Sequence, residues 1–190
     1  MTKKNVSVSE DIFIAGAGGQ GILLLGKIIA QSAVEEDKFV TYYPTYGAEI
    51  RGGTANCSVR ISDAEISSPV VTKPTTLIIM NQQSLEKFIG KVQKNSYLVL
   101  NSSLVNPADV KTSLQDKNNQ KVILIPASEI AQKLGDARCA NIVMLGAYVK
   151  LKKIISPESA VSAIKKAFEN KPELIELNLK AFIAVHKTTE

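Results

Sequence analysis

The sequence predicts an α/β fold with a mixed, mostly parallel sheet and a helical C-terminal third. Three observations predict it. Short apolar runs at Leu77–Met80, Tyr97–Leu100 and Val122–Ile125 read as buried strands with helical or polar segments between them. Thr54–Ser62 alternates strictly between apolar and polar residues, the pattern of a half-buried strand beside an antiparallel neighbour. Beyond Ala127 the pattern is helical almost throughout. With 190 residues the chain is long enough for one domain, 1–190, around a substantial core.

The elements follow in order. Asp11–Ala15 is the first strand, leading through a glycine loop into a helix from about Gln20 to Glu36. That helix carries Ile22, Leu23, Leu25, Ile28, Ile29 and Ala33, a broad apolar surface suited to a sheet. Phe39–Tyr43 is the second strand, ended by Pro44, which has no N–H for a ladder. Thr54–Ser62 follows, and Asp63-Ala-Glu is expected to turn into a short strand over Ile66–Val71, making a hairpin. After Leu77–Met80 a helix lies near Gln83–Ile89. Asn106–Gln120 is polar and reads as a loop with a short helix. Ser128-Glu129 opens a helix that Gly135 can end in a left-handed conformation. Arg138–Lys153 is apolar on most sides and should be buried. Ser156-Pro157-Glu158 sets a capping hydroxyl before a proline at the first helical position, and Lys171-Pro172-Glu173 starts the last helix, to about His186.

Composition narrows the function. The N-terminus lacks the apolar stretch of a secretory signal, and no apolar run reaches the length of a membrane span, so a cytoplasmic protein is expected with no membrane partner. Cys57 and Cys139 are isolated in apolar sequence, too few and too far apart for a disulfide framework, a zinc site or an iron–sulfur cluster. The net charge of +5 comes from 23 basic and 18 acidic residues. Their basic pairs are scattered and not interleaved with aromatics, which argues against nucleic acid. No catalytic constellation emerges. His186, the single histidine, sits near the C-terminus, and Ser102 and Ser103 have no base at hand.

The candidate site centres on Gly16-x-Gly18-x-x-Gly21, with Gly19 and Gln20 between, after a strand and before a helix. This is formally a dinucleotide-binding fingerprint. The acidic residue that should end the second strand and bind the ribose is missing, because that end reads Tyr42-Tyr43-Pro44. No Gly-x-x-x-x-Gly-Lys-Ser/Thr pattern exists either. The loop can still present backbone N–H groups to a phosphate or carboxylate, or serve only close packing. A second glycine-rich segment, Thr45-Tyr46-Gly47-Ala48-Glu49-Ile50-Arg51-Gly52-Gly53, falls at the same carboxyl edge of the sheet. Arg51 suits a phosphate, an interface ion pair, or a turn-fixing pair with Glu49.

Together, Gly16-Ala-Gly-Gly-Gln-Gly-Ile-Leu-Leu-Leu-Gly26 and Tyr46-Gly-Ala-Glu-Ile-Arg-Gly-Gly-Thr-Ala-Asn-Cys57 resemble the gamma subunit of 2-oxoacid:ferredoxin oxidoreductases. Ala140-Asn-Ile-Val-Met-Leu-Gly-Ala147 is a third match, and the resemblance runs over roughly Asp11–Ala181. Pro74 is followed here by Thr75-Thr76 where an aspartate is often found. The resemblance implies a three-layer α/β/α sandwich and a multisubunit enzyme that decarboxylates a 2-oxoacid, reduces ferredoxin and releases an acyl-CoA. It implies no cofactor held by this chain alone. The complex would use thiamine diphosphate, Mg (magnesium), iron–sulfur clusters and CoA. The expected partners are alpha and beta subunits, with or without a ferredoxin-like subunit.

On that resemblance, Gly16, Gly18, Gly19, Gln20, Gly21, Thr45, Tyr46, Glu49, Arg51, Gly52 and Gly53 form one surface. It contacts CoA or packs against the thiamine-bearing subunits, and Tyr46, Glu49 and Arg51 are the residues able to assist a shared active centre. The small subunit of an indolepyruvate:ferredoxin oxidoreductase and a stand-alone nucleotide-binding or regulatory module are the alternatives. Among 2-oxoacids, 2-oxoglutarate is slightly preferred over pyruvate and branched-chain substrates.

Overall fold

An apolar strand that must bury both faces sets the middle of the sheet. In the computed structural model, which describes residues 9–45, 54–113 and 120–185, that strand is β1 (Ser9–Ala17). After it come α1 (Ile22–Val34), β2 (Phe39–Thr45), β3 (Thr54–Ser62), β4 (Thr76–Ile79) and α2 (Gln82–Phe88). β5 (Tyr97–Asn101), α3 (Pro107–Ser113) and β6 (Lys121–Ile125) complete the sheet region. The chain then runs through α4 (Ala127–Lys133), α5 (Ala140–Lys152), α6 (Pro157–Ala167) and α7 (Ile175–Ala184).

One sheet orders its strands β2-β3-β1-β4-β5-β6. β3 pairs antiparallel with both β1 and β2, while β1–β4, β4–β5 and β5–β6 are parallel pairs. The sheet is therefore mixed and mostly parallel, as expected.

Two apolar layers clamp it. Ile12, Ile14, Val59, Ile61, Ile78 and Val99 face α1, α5 and the rest of the C-terminal helices. Phe13, Ala15, Leu77, Ile79, Leu98 and Leu100 face Leu85 of α2 and Val110 of α3. Each such Ile, Leu or Phe contributes about 1.5–3 kcal/mol from burial. α5 is buried at every position from Ala140 to Val149, which accounts for its apolar sequence on most sides.

Several local signals act as the sequence suggests. The Ser156 hydroxyl accepts the Ser159 N–H at 3.1 Å and Pro157 opens α6. Gly135, at φ 106°, follows α4. β2 continues through Pro44, which the edge of a sheet tolerates because an outward N–H is not needed there.

The hairpin expected over Ile66–Val71 is absent: that segment forms no strand. β3 already has β1 on one edge and β2 on the other, so no edge remains to pair with a returning strand. Pro69 also interrupts the segment. The Ser68 carbonyl instead accepts from Arg60 Nη1 at 2.9 Å, and Val71 is buried against the sheet.

Candidate functional site

The glycine loop is built from its own side chain inward. The Gln20 N–H donates to the Ala17 carbonyl at 3.2 Å, closing a tight turn with Gly19 at φ 85°. The Gln20 side chain then fills the loop. Its Oε1 accepts the Ala17 N–H at 2.7 Å, and its Nε2 lies 3.5 Å from the Met80 carbonyl at the end of β4. Gly21 follows at φ 70° as the residue before α1, and no side chain caps that helix. The first-turn amides of α1 consequently keep their partial positive charge at this edge.

The glycines divide into two kinds. A Cβ on Gly16 would come within 2.7 Å of Gln20 Oε1 and 2.8 Å of Met80 Cβ, and a Cβ on Gly21 would collide with Asn141. These two serve packing inside the chain. Gly18 and Gly19 are exposed, and nothing in the chain lies within 4 Å of where their Cβ atoms would stand. Gly19 needs its positive φ for the turn. At Gly18 neither backbone conformation nor crowding within the chain calls for glycine.

The second segment starts and ends beside this loop. Ala17 is paired with Thr54, and Thr45 with Asn56, so both feet of the connection stand at the carboxyl edge of β1. Tyr46, Glu49, Arg51, Gly52 and Gly53 lie outside the described residues, as does His186. The Thr54 hydroxyl accepts from Lys87 Nζ of α2 at 3.1 Å. Beneath it a cleft of about 370 Å³ is lined by Tyr43, Thr45, Asn56, Lys87, Phe88 and Lys91 among others.

On the opposite side of the loop a second cleft of about 220 Å³ lies between Gly19 and Gly21 and the residues Asp136, Arg138, Cys139 and Asn141. Asn141 is buried, and its Nδ2 donates to the Gly21 carbonyl at 3.2 Å. The third sequence motif thus supplies the brace of the first. Its one polar residue in an apolar helix was the available signal. Arg138, which the sequence did not single out, is gripped by Asp136 with Nη2–Oδ2 at 2.6 Å. That guanidinium holds the Asp136 carboxyl below the usual range.

Burial pushes the Cys57 thiol up to about 12, and burial also raises that of Cys139, so neither is a ready thiolate. The Ser103 hydroxyl is taken up by the Glu129 N–H at 3.2 Å. Among the described residues no group of three or more His, Cys, Asp and Glu gathers to hold a metal ion. No helix among them is long and apolar enough to cross a membrane.

Comparison with known proteins gives this geometry a context. A family model described as pyruvate ferredoxin/flavodoxin oxidoreductase matches residues 11–187. The ketoisovalerate oxidoreductase subunit VorA of Methanothermobacter marburgensis is 38% identical over 168 residues, 88% of this chain and 34% of that protein. The chain therefore spans about a third of the length of that relative. The 2-oxoglutarate synthase subunit KorC of Methanocaldococcus jannaschii is 34% identical over 96% of this chain and 95% of its own.

Among solved structures, the gamma subunit of a keto/oxoacid ferredoxin oxidoreductase from Geobacter sulfurreducens superposes with a TM-score of 0.73 at 30% identity, covering 91% of this chain and 94% of that one. A 2-oxoglutarate:ferredoxin oxidoreductase from Magnetococcus marinus, with 2-oxoglutarate, coenzyme A and succinyl-CoA bound, gives a TM-score of 0.83 at 26% identity. It covers 96% of this chain and 32% of that one.

Proposed function

The chain belongs to the pyruvate ferredoxin/flavodoxin oxidoreductase family, and from that premise we propose that it is the gamma subunit of a 2-oxoacid:ferredoxin oxidoreductase. The assembled enzyme decarboxylates a 2-oxoacid, delivers the electrons to ferredoxin and leaves the acyl group on coenzyme A. Alpha and beta subunits, with or without a ferredoxin-like subunit, hold thiamine diphosphate, magnesium and the iron–sulfur clusters. This chain contributes assembly and accommodation of coenzyme A.

The observation that carries this role is the exposed backbone at Gly18 and Gly19 beside an uncapped helix. Bare backbone lets a partner approach closely, and the α1 amides offer partial positive charge to phosphate oxygens. Coenzyme A, when bound, supplies the thiol that accepts the acyl group. The residues of this chain bind and orient it, with Asn141 and Gln20 keeping the loop in shape. The second glycine segment, with Tyr46, Glu49, Arg51, Gly52 and Gly53, completes the surface in this proposal.

For the substrate, 2-oxoglutarate is favoured by a KorC relative aligned over nearly its whole length, and ketoisovalerate by the higher identity to VorA. Anaerobic copurification from the native host, followed by a panel of 2-oxoacids with coenzyme A and a viologen dye, tests the proposal. Dye reduction that requires both a 2-oxoacid and coenzyme A is expected. A copurified complex that reduces dye with no 2-oxoacid in the panel sinks it. In the assembled complex, Gly18→Val raises KM for coenzyme A if the loop touches the cofactor, and abolishes assembly if the loop packs on another subunit.

A further inference from the structure

The cleft beneath Thr54 holds positive charge that the described residues do not neutralise. The helices on this face of the sheet pack over β1, β4 and β5, and β3 and β2 lie beside them as the floor of the hollow. Along β3 the floor residues are Thr54, Asn56 and Ser58, all small and polar. Ser58 stands in register between Phe13 of β1 and Tyr43 of β2, and Asn56 between Ala15 and Thr45. An uncovered sheet face is ordinarily polar because water wets it. Thr54 and Ser58 are instead only 2% and 6% exposed. Among the described residues no hydrogen bond engages the Ser58 hydroxyl, which lines the cleft.

Two ammonium groups bound the hollow on the α2 side. Lys87 Nζ donates to the Thr54 hydroxyl at 3.1 Å, and Lys91 Nζ lies 4.9 Å from the centroid of the Phe13 ring. A hydroxyl and a ring face hold these cations in place without cancelling their charge. The neighbouring Glu86 carboxylate is engaged by the Gln82 amide at 3.0 Å. No carboxylate among the described residues lies within 4 Å of either lysine. Like charges four residues apart along a helical segment repel. Elsewhere the chain compensates its lysines, Lys152 with Glu10 and Lys180 with Glu176.

From this we propose that the cleft binds a phosphate monoester, with Lys87 and Lys91 on its oxygens and Ser58 and Asn56 donating from the floor. Such a group carries close to two negative charges at neutral pH on a single phosphorus, the complement of two ammonium groups. At about 370 Å³ the cleft also has room for the sugar that bears the phosphate, since small-molecule sites span roughly 300–1,000 Å³. Coenzyme A presents this chemistry in its ribose phosphate, separate from its diphosphate; that source rests on the coenzyme A reading above. Thr54 pairs with Ala17, where the glycine loop begins, so cleft and loop adjoin. A free phosphorylated nucleoside presents the same group.

Calorimetric titration of the full chain with coenzyme A, dephospho-coenzyme A and adenosine 3′-monophosphate, up to about 5 mM, tests this. Coenzyme A should bind about tenfold more tightly than its dephospho form. Lys87→Gln with Lys91→Gln should erase that difference, with circular dichroism unchanged. Lys87→Gln alone, at an exposed position, should remove part of it, so the reading survives a double variant that folds poorly. Equal binding of coenzyme A and its dephospho form, with adenosine 3′-monophosphate lost only in the lysine variants, supports the monoester site and makes a free nucleotide its source. No heat with any of the three overturns the proposal, as does binding that ignores both lysine substitutions. A complex that fails the dye assay removes the oxidoreductase reading and leaves these titrations standing.

Discussion

Asn141 donates through Nδ2 to the carbonyl of Gly21 at 3.2 Å, from a side chain almost wholly withdrawn from water. This bond ties the start of α1 to the buried helix α5 at the floor of the exposed loop. Replacing Asn141 with Ala removes this bond and leaves the Gly21 carbonyl only the helical bond from the Leu25 N–H at 2.9 Å, at a cost of about 0.5–1.5 kcal/mol. Urea unfolding of the purified variant should show that loss as a lower midpoint. Assembly or coenzyme A use in the complex should weaken alongside it. Unchanged stability would mean the bond carries no load.

The loop glycines should separate cleanly by what they touch. Gly21→Ala places a side chain at φ 70° against Asn141 and should cost at least about 1–2 kcal/mol. Gly18→Ala meets nothing within 4 Å and has an ordinary φ, so its stability should stay within about 0.5 kcal/mol of wild type. Only in the complex should Gly18 substitutions show an effect. Thermal unfolding of both variants decides this. Equal losses would erase the division between internal and external glycines.

How much of this was legible in the chain depends on the range of the interaction. β3 shows itself locally, because one face of Thr54–Ser62 packs on α1 while the other carries Asn56, Ser58 and Arg60. Ile66–Val71 has similar composition, yet its fate hangs on whether β3 has a free edge, which is a property of the whole sheet. The glycine loop was visible for the same local reason as β3. The packing duties of Gly16 and Gly21, as against the open Gly18, were not, since they depend on Met80 at the end of β4 and on Asn141 of α5. Periodicity reports on a residue's own element and carries no information on contacts 120 positions away.

A buried ion pair at the amino end of the sheet makes a third test. Lys152 Nζ lies 3.1 Å from Glu10 Oε2, with side chains 12% and 3% exposed. Thr76 donates to the other carboxylate oxygen, and Lys152 Nζ stands 4.1 Å from the centroid of the Tyr97 ring. Breaking this pair from one side, by Lys152→Met, leaves Glu10 uncompensated and should cost about 3–5 kcal/mol. The double variant Glu10→Leu with Lys152→Met removes both charges and should recover most of that. Denaturant titration of the single and double variants measures the recovery. A double variant no better than the single would show that packing dominates the loss.

Cys57 supplies the pH dependence. Its side chain is fully buried, its Sγ lies 3.6 Å from the Ile22 carbonyl, and burial lifts its pKa from 9.0 to about 12. The folded state therefore keeps the proton that the unfolded chain releases near 9. The stability that this group contributes is full below pH 9 and is lost as the pH rises from about 9 toward 12. Urea midpoints across that window should fall more steeply for wild type than for Cys57→Ala, which has no proton to lose. Iodoacetamide at pH 8.5, followed by mass spectrometry of the peptide, should label Cys57 only as fast as the chain unfolds. Labelling at the rate of a free thiol would refute the burial. A parallel decline of both proteins with pH would refute the linkage.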